Sequence, residues 1–203
     1  MPAADIAAAS AAPGARTERA PAIWIFIALD CSSFGLFFIV FMVERLRQAA
    51  LFDHGTQQLN AELGFLNACI LITSSWLVAW ANVVGRKGDF AQAKKLIWGA
   101  IGIAACFGIV KSYEYYEKIS SGITVATNEF FTFYFALTGI HFLHYIVGMI
   151  ILCVLAQGPH PYAPQEQARA SYAKWLEGGS LYWHMVDLLW IFIFSLLYLI
   201  GAR

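Results

Sequence analysis

FFTFYFALTGIHFLHYIVGMIILCVLA, residues 130–156, decides the fold: 27 consecutive residues without one Asp, Glu, Lys or Arg. As a helix this run is about 40 Å long at ~1.5 Å per residue, more than the ~30 Å hydrocarbon core of a bilayer requires. A barrel strand needs only about 10 residues with strict alternation, and this run does not alternate. Backbone N–H and C=O groups must all be paired inside lipid, which leaves a transmembrane helix.

Working outward, four further apolar runs of comparable length lie at 22–43, 63–84, 96–116 and 180–200. The fold class is therefore all-α: a polytopic membrane protein with a single five-helix domain over 22–203. Composition agrees, with 60% apolar and 13% charged residues against roughly 25% charged in a soluble domain. Thirteen Lys+Arg balance thirteen Asp+Glu, so no basic excess exists for phosphate neutralisation and a nucleic-acid partner is disfavoured. Residues 1–21, rich in Ala and Pro, read as a flexible tail. It does not read as a cleaved signal peptide, because the apolar run after it is long and ends in Glu44-Arg45 rather than a small-residue cleavage site.

The short GRKGDF turn (85–90) predicts an antiparallel hairpin of the second and third spans, and 158–179 reads as a long loop on the membrane surface or against a partner. The tail and the loops at 85–95 and 157–179 hold Arg16, Arg19, Arg86, Lys87, Lys94, Lys95, Arg169 and Lys174. The opposite side holds Arg45, Arg47, Lys118 and Arg203. The excess places the N-terminus in the cytoplasm and the C-terminus outside. Trp24, Trp98, Tyr182, Trp183, Tyr113, Tyr115 and Tyr116 read as an interfacial aromatic belt. Cys31, Cys69, Cys106 and Cys153 lie in separate runs without CxxC spacing and read as small buried apolar side chains.

Ionisable groups within spans cost about 2.5–3.5 kcal/mol for Asp, Lys or Arg at a helix centre. Asp30, Lys111, Glu114, His141, His144, His184 and Asp187 are such groups. Lys111/Glu114, His141/His144 and His184/Asp187 share i, i+3 spacing, one helical face each, and these faces should point into the bundle or at a partner. Depth along the helices puts Asp30 and Asp187 each about 10 Å from the cytoplasmic boundary, so Asp30, His184 and Asp187 are expected to meet. Ser180, His184 and Asp187 form a polar stripe, as do Asn67, Ser74 and Asn82; both read as interhelical hydrogen-bond seams. His54 and His160 fall in loops. Two other uses of the same residues stay open: a metal or haem site built from His141, His144, His184 and Asp187, and a proton-linked transport path through Asp30, His184 and Asp187.

Several dispersed stretches resemble one family in the correct order. FFTFYFALTGIHFLHYIVGMIIL (130–152) and YWHMVDLLWIFIF (182–194) resemble the last two helices of subunit III of haem-copper oxidases. Phe107, Lys111, Glu114 and Tyr115 resemble its Phe-x-x-x-Lys/Gln-x-x-Glu-Tyr signature, LNACILITSSWLVAWA (66–81) its Leu-Asn-Thr…Ser-Ser helix, and WIFIALDCSSFGLFF (24–38) its helix with an intramembrane carboxylate followed by Phe at +4. The resemblance covers about 22–200. Asp30 stands where the family usually has Glu. Longer members have seven helices and a lipid-filled cleft between the first two and the other five, so the cleft is expected to be incomplete here. Short five-helix forms occur in bacterial oxidases and beside nitric oxide reductases, and Asp30 with TFYFALTGIH leans toward the latter branch.

The resemblance implies a non-catalytic subunit in a bacterial inner membrane. It would support assembly, stability and proton uptake of the catalytic subunit of an oxygen or nitric oxide reductase in an electron transport chain. It implies no cofactor in this chain; haem and copper, or haem and non-haem iron, belong to the catalytic partner, and phospholipid is an expected associate. Only three histidines lie in spans, too few to ligate a haem-copper centre.

Overall fold

The structure, a computed structural model, describes residues 20–159 and 165–200; residues 1–19 of the expected tail, and His160, lie outside them. Six helices follow one another: α1 (Ala20–Arg47), α2 (Ala49–Gln57), α3 (Ala61–Arg86), α4 (Phe90–Ser120), α5 (Glu129–Gln157) and α6 (Gln165–Phe194), the last continued by a π-helical turn, Ser195–Leu199. All but α2 are long and apolar enough to cross a membrane, so the chain is an all-helical, multi-pass membrane protein.

Local chemistry sets the boundaries. Asn60, Asp89 and Asn128 cap α3, α4 and α5 by accepting backbone N–H groups with their side chains. Gly88, at φ +86°, makes the tight α3–α4 turn that a Cβ would strain. Ser74 Oγ donates to the Ala100 carbonyl at 3.1 Å. Both residues lie the same distance from that turn, as an antiparallel hairpin requires.

The connection between α1 and α3 is helical rather than a loop, and His54 is exposed on α2. Phe52 of α2 is fully buried, with its ring edge-on to Phe41 and Phe130. Arg45 and Asp53 clamp the α1–α2 corner at 2.6 Å.

Residues 165–179 are the first turns of α6, not a loop along the membrane surface. Tyr172 is buried, donates its hydroxyl to the Leu155 carbonyl at 2.8 Å and meets the Phe90 ring edge-on; Glu177 pairs with Arg86 at 2.9 Å. Gly178-Gly179 looks like a helix breaker, yet α6 runs through it. A Cβ on Gly179 would stand 2.5 Å from Leu155 Cδ1, so the glycine lets α5 and α6 touch.

Of the residues expected in an aromatic belt, Trp24, Trp98, Tyr113 and Tyr116 are exposed. Tyr182 and Trp183 are buried instead, with Trp183 against the bare backbone of Gly148. Tyr115 is half-buried and bonds Thr138 at 2.7 Å. Cys69, Cys106 and Cys153 are exposed, contrary to the burial expected of them, and all four cysteines are free thiols.

Candidate functional site

The interior of the bundle is built around a charged pair. Lys111 and Glu114, one turn apart on α4, are 0% and 1% exposed. Lys111 Nζ donates to Glu114 Oε2 at 3.1 Å, to Tyr134 Oη at 3.2 Å and to Tyr198 Oη at 3.1 Å. Both tyrosine hydroxyls in turn donate to Glu114 Oε1, at 2.9 and 2.5 Å. The three ammonium donors and both carboxylate oxygens are therefore engaged, the condition under which a buried ion pair is tolerated. The rings of Tyr134, Tyr115 and Trp190 lie within 4.8–5.2 Å of the ammonium and add cation–π stabilisation. Tyr198 reaches this cluster from the π-helical turn, a form often found where a helix meets a special packing demand.

The two histidines of α5 share the i, i+3 spacing but serve different neighbours. His141 is fully buried; its Nε2–H donates to the Val186 carbonyl of α6 at 2.9 Å, and Nδ1 is without a partner. His144, half-buried, donates Nδ1–H to the Ile140 carbonyl at 2.8 Å and sets Nε2 3.1 Å from Asp30 Oδ1 on α1. The carbonyl can only accept.

Asp30 does not meet His184 and Asp187, contrary to the depth argument. α1 lies on the side of α6 that carries Gly178 and Tyr182, with Ile23 against the former and Phe26 near the latter. Asp187 is nine residues, about two and a half turns, beyond Gly178, and so faces the opposite way. His184 instead places Nδ1 2.5 Å from Ser75 Oγ of α3, and Asp187 has one carboxylate oxygen buried and unpartnered.

The α3 stripe is only partly a hydrogen-bond seam. Ser74 bonds across to α4, but Asn67, fully buried, leaves both amide atoms unpartnered, as does Asn82 its oxygen. Ser180, on the α6 stripe, back-bonds to its own helix at Leu176.

Tyr134, Tyr198, Ser75 and Trp190 belong to these clusters without having been singled out in the sequence. Tyr134 had a signal, since it sits seven residues before His141 on the same face. Nothing local marks Tyr198, whose position depends on the π-helical turn.

The intramembrane histidines reach three different elements, and among the described residues no three His, Cys, Asp or Glu side chains converge as ligands.

Residues 23–202 match the family model described as cytochrome c oxidase subunit III. A protein of Synechocystis sp. named cytochrome c oxidase subunit 3 is 33% identical over 181 residues, 87% of this chain and 73% of the relative. One of the same name from Thermostichus vulcanus is 28% identical over 185 residues, 90% and 87%. A Nocardia farcinica protein named probable cytochrome c oxidase subunit 3 is 23% identical over 178 residues, 87% and 85%. With nearly every described residue inside the matched span, and the Lys111–Glu114 pair, Asp30 and the membrane histidines all within it, the chain belongs to the cytochrome c oxidase subunit III family.

Proposed function

We propose that this chain is the non-catalytic, subunit III-like component of a haem-copper reductase complex in a bacterial inner membrane, supporting assembly, lifetime and proton uptake of the catalytic subunit. The observation that carries this reading is the use to which the ionisable groups are put. Lys111, Glu114, Tyr134 and Tyr198 bond one another inside the bundle, and the histidines take backbone and side-chain partners. The chain spends its polar chemistry on scaffold, so haem with copper, or haem with non-haem iron, belongs to its partner.

Asp30–His144 is the group suited to proton handling. It is half-buried, on the loosely packed α1, and joins a carboxylate to an imidazole, side chains of the kinds that form intramembrane proton relays. With the N-terminus cytoplasmic, Asp30 lies about 10 Å from the cytoplasmic boundary at ~1.5 Å per residue. The relatives' names favour oxygen as the partner's substrate; Asp30 and TFYFALTGIH favour a nitric oxide reductase. Membrane phospholipid covers the apolar faces that no protein covers.

Deletion of the gene, with haem content and turnover inactivation measured for each terminal reductase, tests the reading. Faster inactivation of one reductase is expected, and assaying that enzyme with oxygen and nitric oxide names its substrate. Unchanged behaviour of every terminal reductase overturns it.

A further inference from the structure

The turn that continues α6 is π-helical, and nothing in its own sequence asks for that form. Ser195-Leu196-Leu197-Tyr198-Leu199 contains neither Pro nor Gly, and leucine is among the better α-formers. Ile200 N–H nonetheless bonds the Ser195 carbonyl, five residues back, at 3.3 Å. Ser195 Oγ donates to the Ile191 carbonyl at 2.8 Å, a back-bond that lets a helix depart from α geometry without forcing it to. The cause of the wider turn therefore lies outside the segment, in what Tyr198 touches.

A turn closed by an i, i+5 bond holds about one residue more than an α turn. One residue is about 100° around the axis at 3.6 residues per turn. In the π register Tyr198 points inward, its ring 6.5 Å from Trp190 and 5.6 Å from Phe194. The ring lies over the bare backbone of Gly64, where a Cβ would stand 3.0 Å from Tyr198 Cδ1. Its hydroxyl accepts from Lys111 Nζ at 3.1 Å and donates to Glu114 Oε1 at 2.5 Å. Were 195–199 to run on as α-helix, Leu197 would swing by about 100° into the place facing the ion pair, and Tyr198 would leave it. Leucine has no hydrogen bond to offer. Lys111 would lose one of its three acceptors and Glu114 Oε1 one of its two donors, in an interior that supplies no substitute. Local propensity thus favours the α register, and the buried pair favours the π register.

We propose that the Lys111–Glu114 pair and the register of the C-terminal end of α6 form one two-state device. With both bonds to Tyr198 made, the turn is π-helical. With them lost, it relaxes to α, Tyr198 turns away from α4 and Leu197 takes its place. A change in the bonding of a pair on α4 is thereby converted into a rotation of the end of α6. This inference stands whether or not the subunit reading does.

Exchanging the two residues in the full chain, Leu197→Tyr/Tyr198→Leu, tests it. A tyrosine at 197 meets the pair only in the α register. The exchange should therefore recover most of the unfolding temperature, in detergent, that Tyr198→Leu alone loses. Solid-state NMR distances from the Ser195 carbonyl carbon to the Leu199 and Ile200 amide nitrogens, measured in bilayers, read the register directly. The Ile200 nitrogen should be the bonded one in the unsubstituted chain, and the Leu199 nitrogen in the exchange variant. Tyr198→Phe, which keeps the ring and removes only the hydroxyl, should also switch to the α register. So should Lys111→Met/Glu114→Leu, which removes the pair without stranding a charge. A π-helical turn that persists in both of these variants overturns the proposal, as does an exchange variant no more stable than Tyr198→Leu.

Discussion

At the scale of single residues, the buried pair and the half-buried pair should respond differently to neutralisation. Glu114→Gln strands the Lys111 ammonium among two tyrosines and an apolar shell, so we expect a loss of about 3–5 kcal/mol, read as a lowered unfolding temperature in detergent. Removing both charges in Lys111→Met/Glu114→Leu should cost clearly less than the sum of the two single changes, because residues in one network couple. Asp30→Asn keeps the shape and gives up the charge at a site that is 15% exposed. Its stability loss should be the smaller one, about 1–3 kcal/mol, and the informative measurement is steady-state turnover of the assembled complex. Slower turnover is expected; identical turnover confines Asp30 to a structural role.

At the scale of helices, close approach depends on glycine where two elements cross. A methyl on Gly148 would lie 2.8 Å from Trp183 Cε3, and packed rings have little room to withdraw. Gly148→Ala should therefore cost about 1–3 kcal/mol. Gly102, in the middle of α4, has nothing within 4 Å of its would-be Cβ, and Gly102→Ala should be neutral or stabilising by about 1 kcal/mol through helix propensity. Thermal unfolding of the two variants side by side checks both signs. The extension of α6 beyond the apolar run makes its own prediction. Tyr172→Phe removes the bond to the Leu155 carbonyl, and limited proteolysis should then cut more readily within 165–179 than in the unsubstituted chain.

For the whole molecule, the division of labour is the testable property. Expressed by itself, the chain should purify colourless, with no Soret band and no stoichiometric metal, and a coloured, metal-loaded, active preparation would end the subunit reading. The ionisable groups are deployed in three ways. One charged pair locks α4 to α5 and to the π-helical turn, one acid–imidazole pair ties α1 to α5, and one Ser75–His184 contact ties α3 to α6. The first has every ammonium donor and both carboxylate oxygens engaged within the chain.

The sequence by itself determined the five spans, the α3–α4 hairpin and the pairing of Lys111 with Glu114. Each depends on quantities local to the chain: apolar length against bilayer thickness, a turn of a few residues, and two side chains one turn apart on one helix. It also made the family legible, because the motifs are spread through the spans in a fixed order. Only the tertiary structure decided which neighbour each remaining polar group takes. Spacing of i, i+3 tells which residues share a face and not what stands opposite, so Asp30 was matched by depth to His184 when the position of α1 around α6 gives it His144. The same holds for Tyr198, aimed at Glu114 by a π-helical turn, and for residues 165–179. Those residues are too polar to read as part of a span, yet they are held in α6 by Tyr172 and Glu177 reaching α5 and α3. Rotation about a helix axis costs nothing until another helix is packed against it, and that contact fixes the partners.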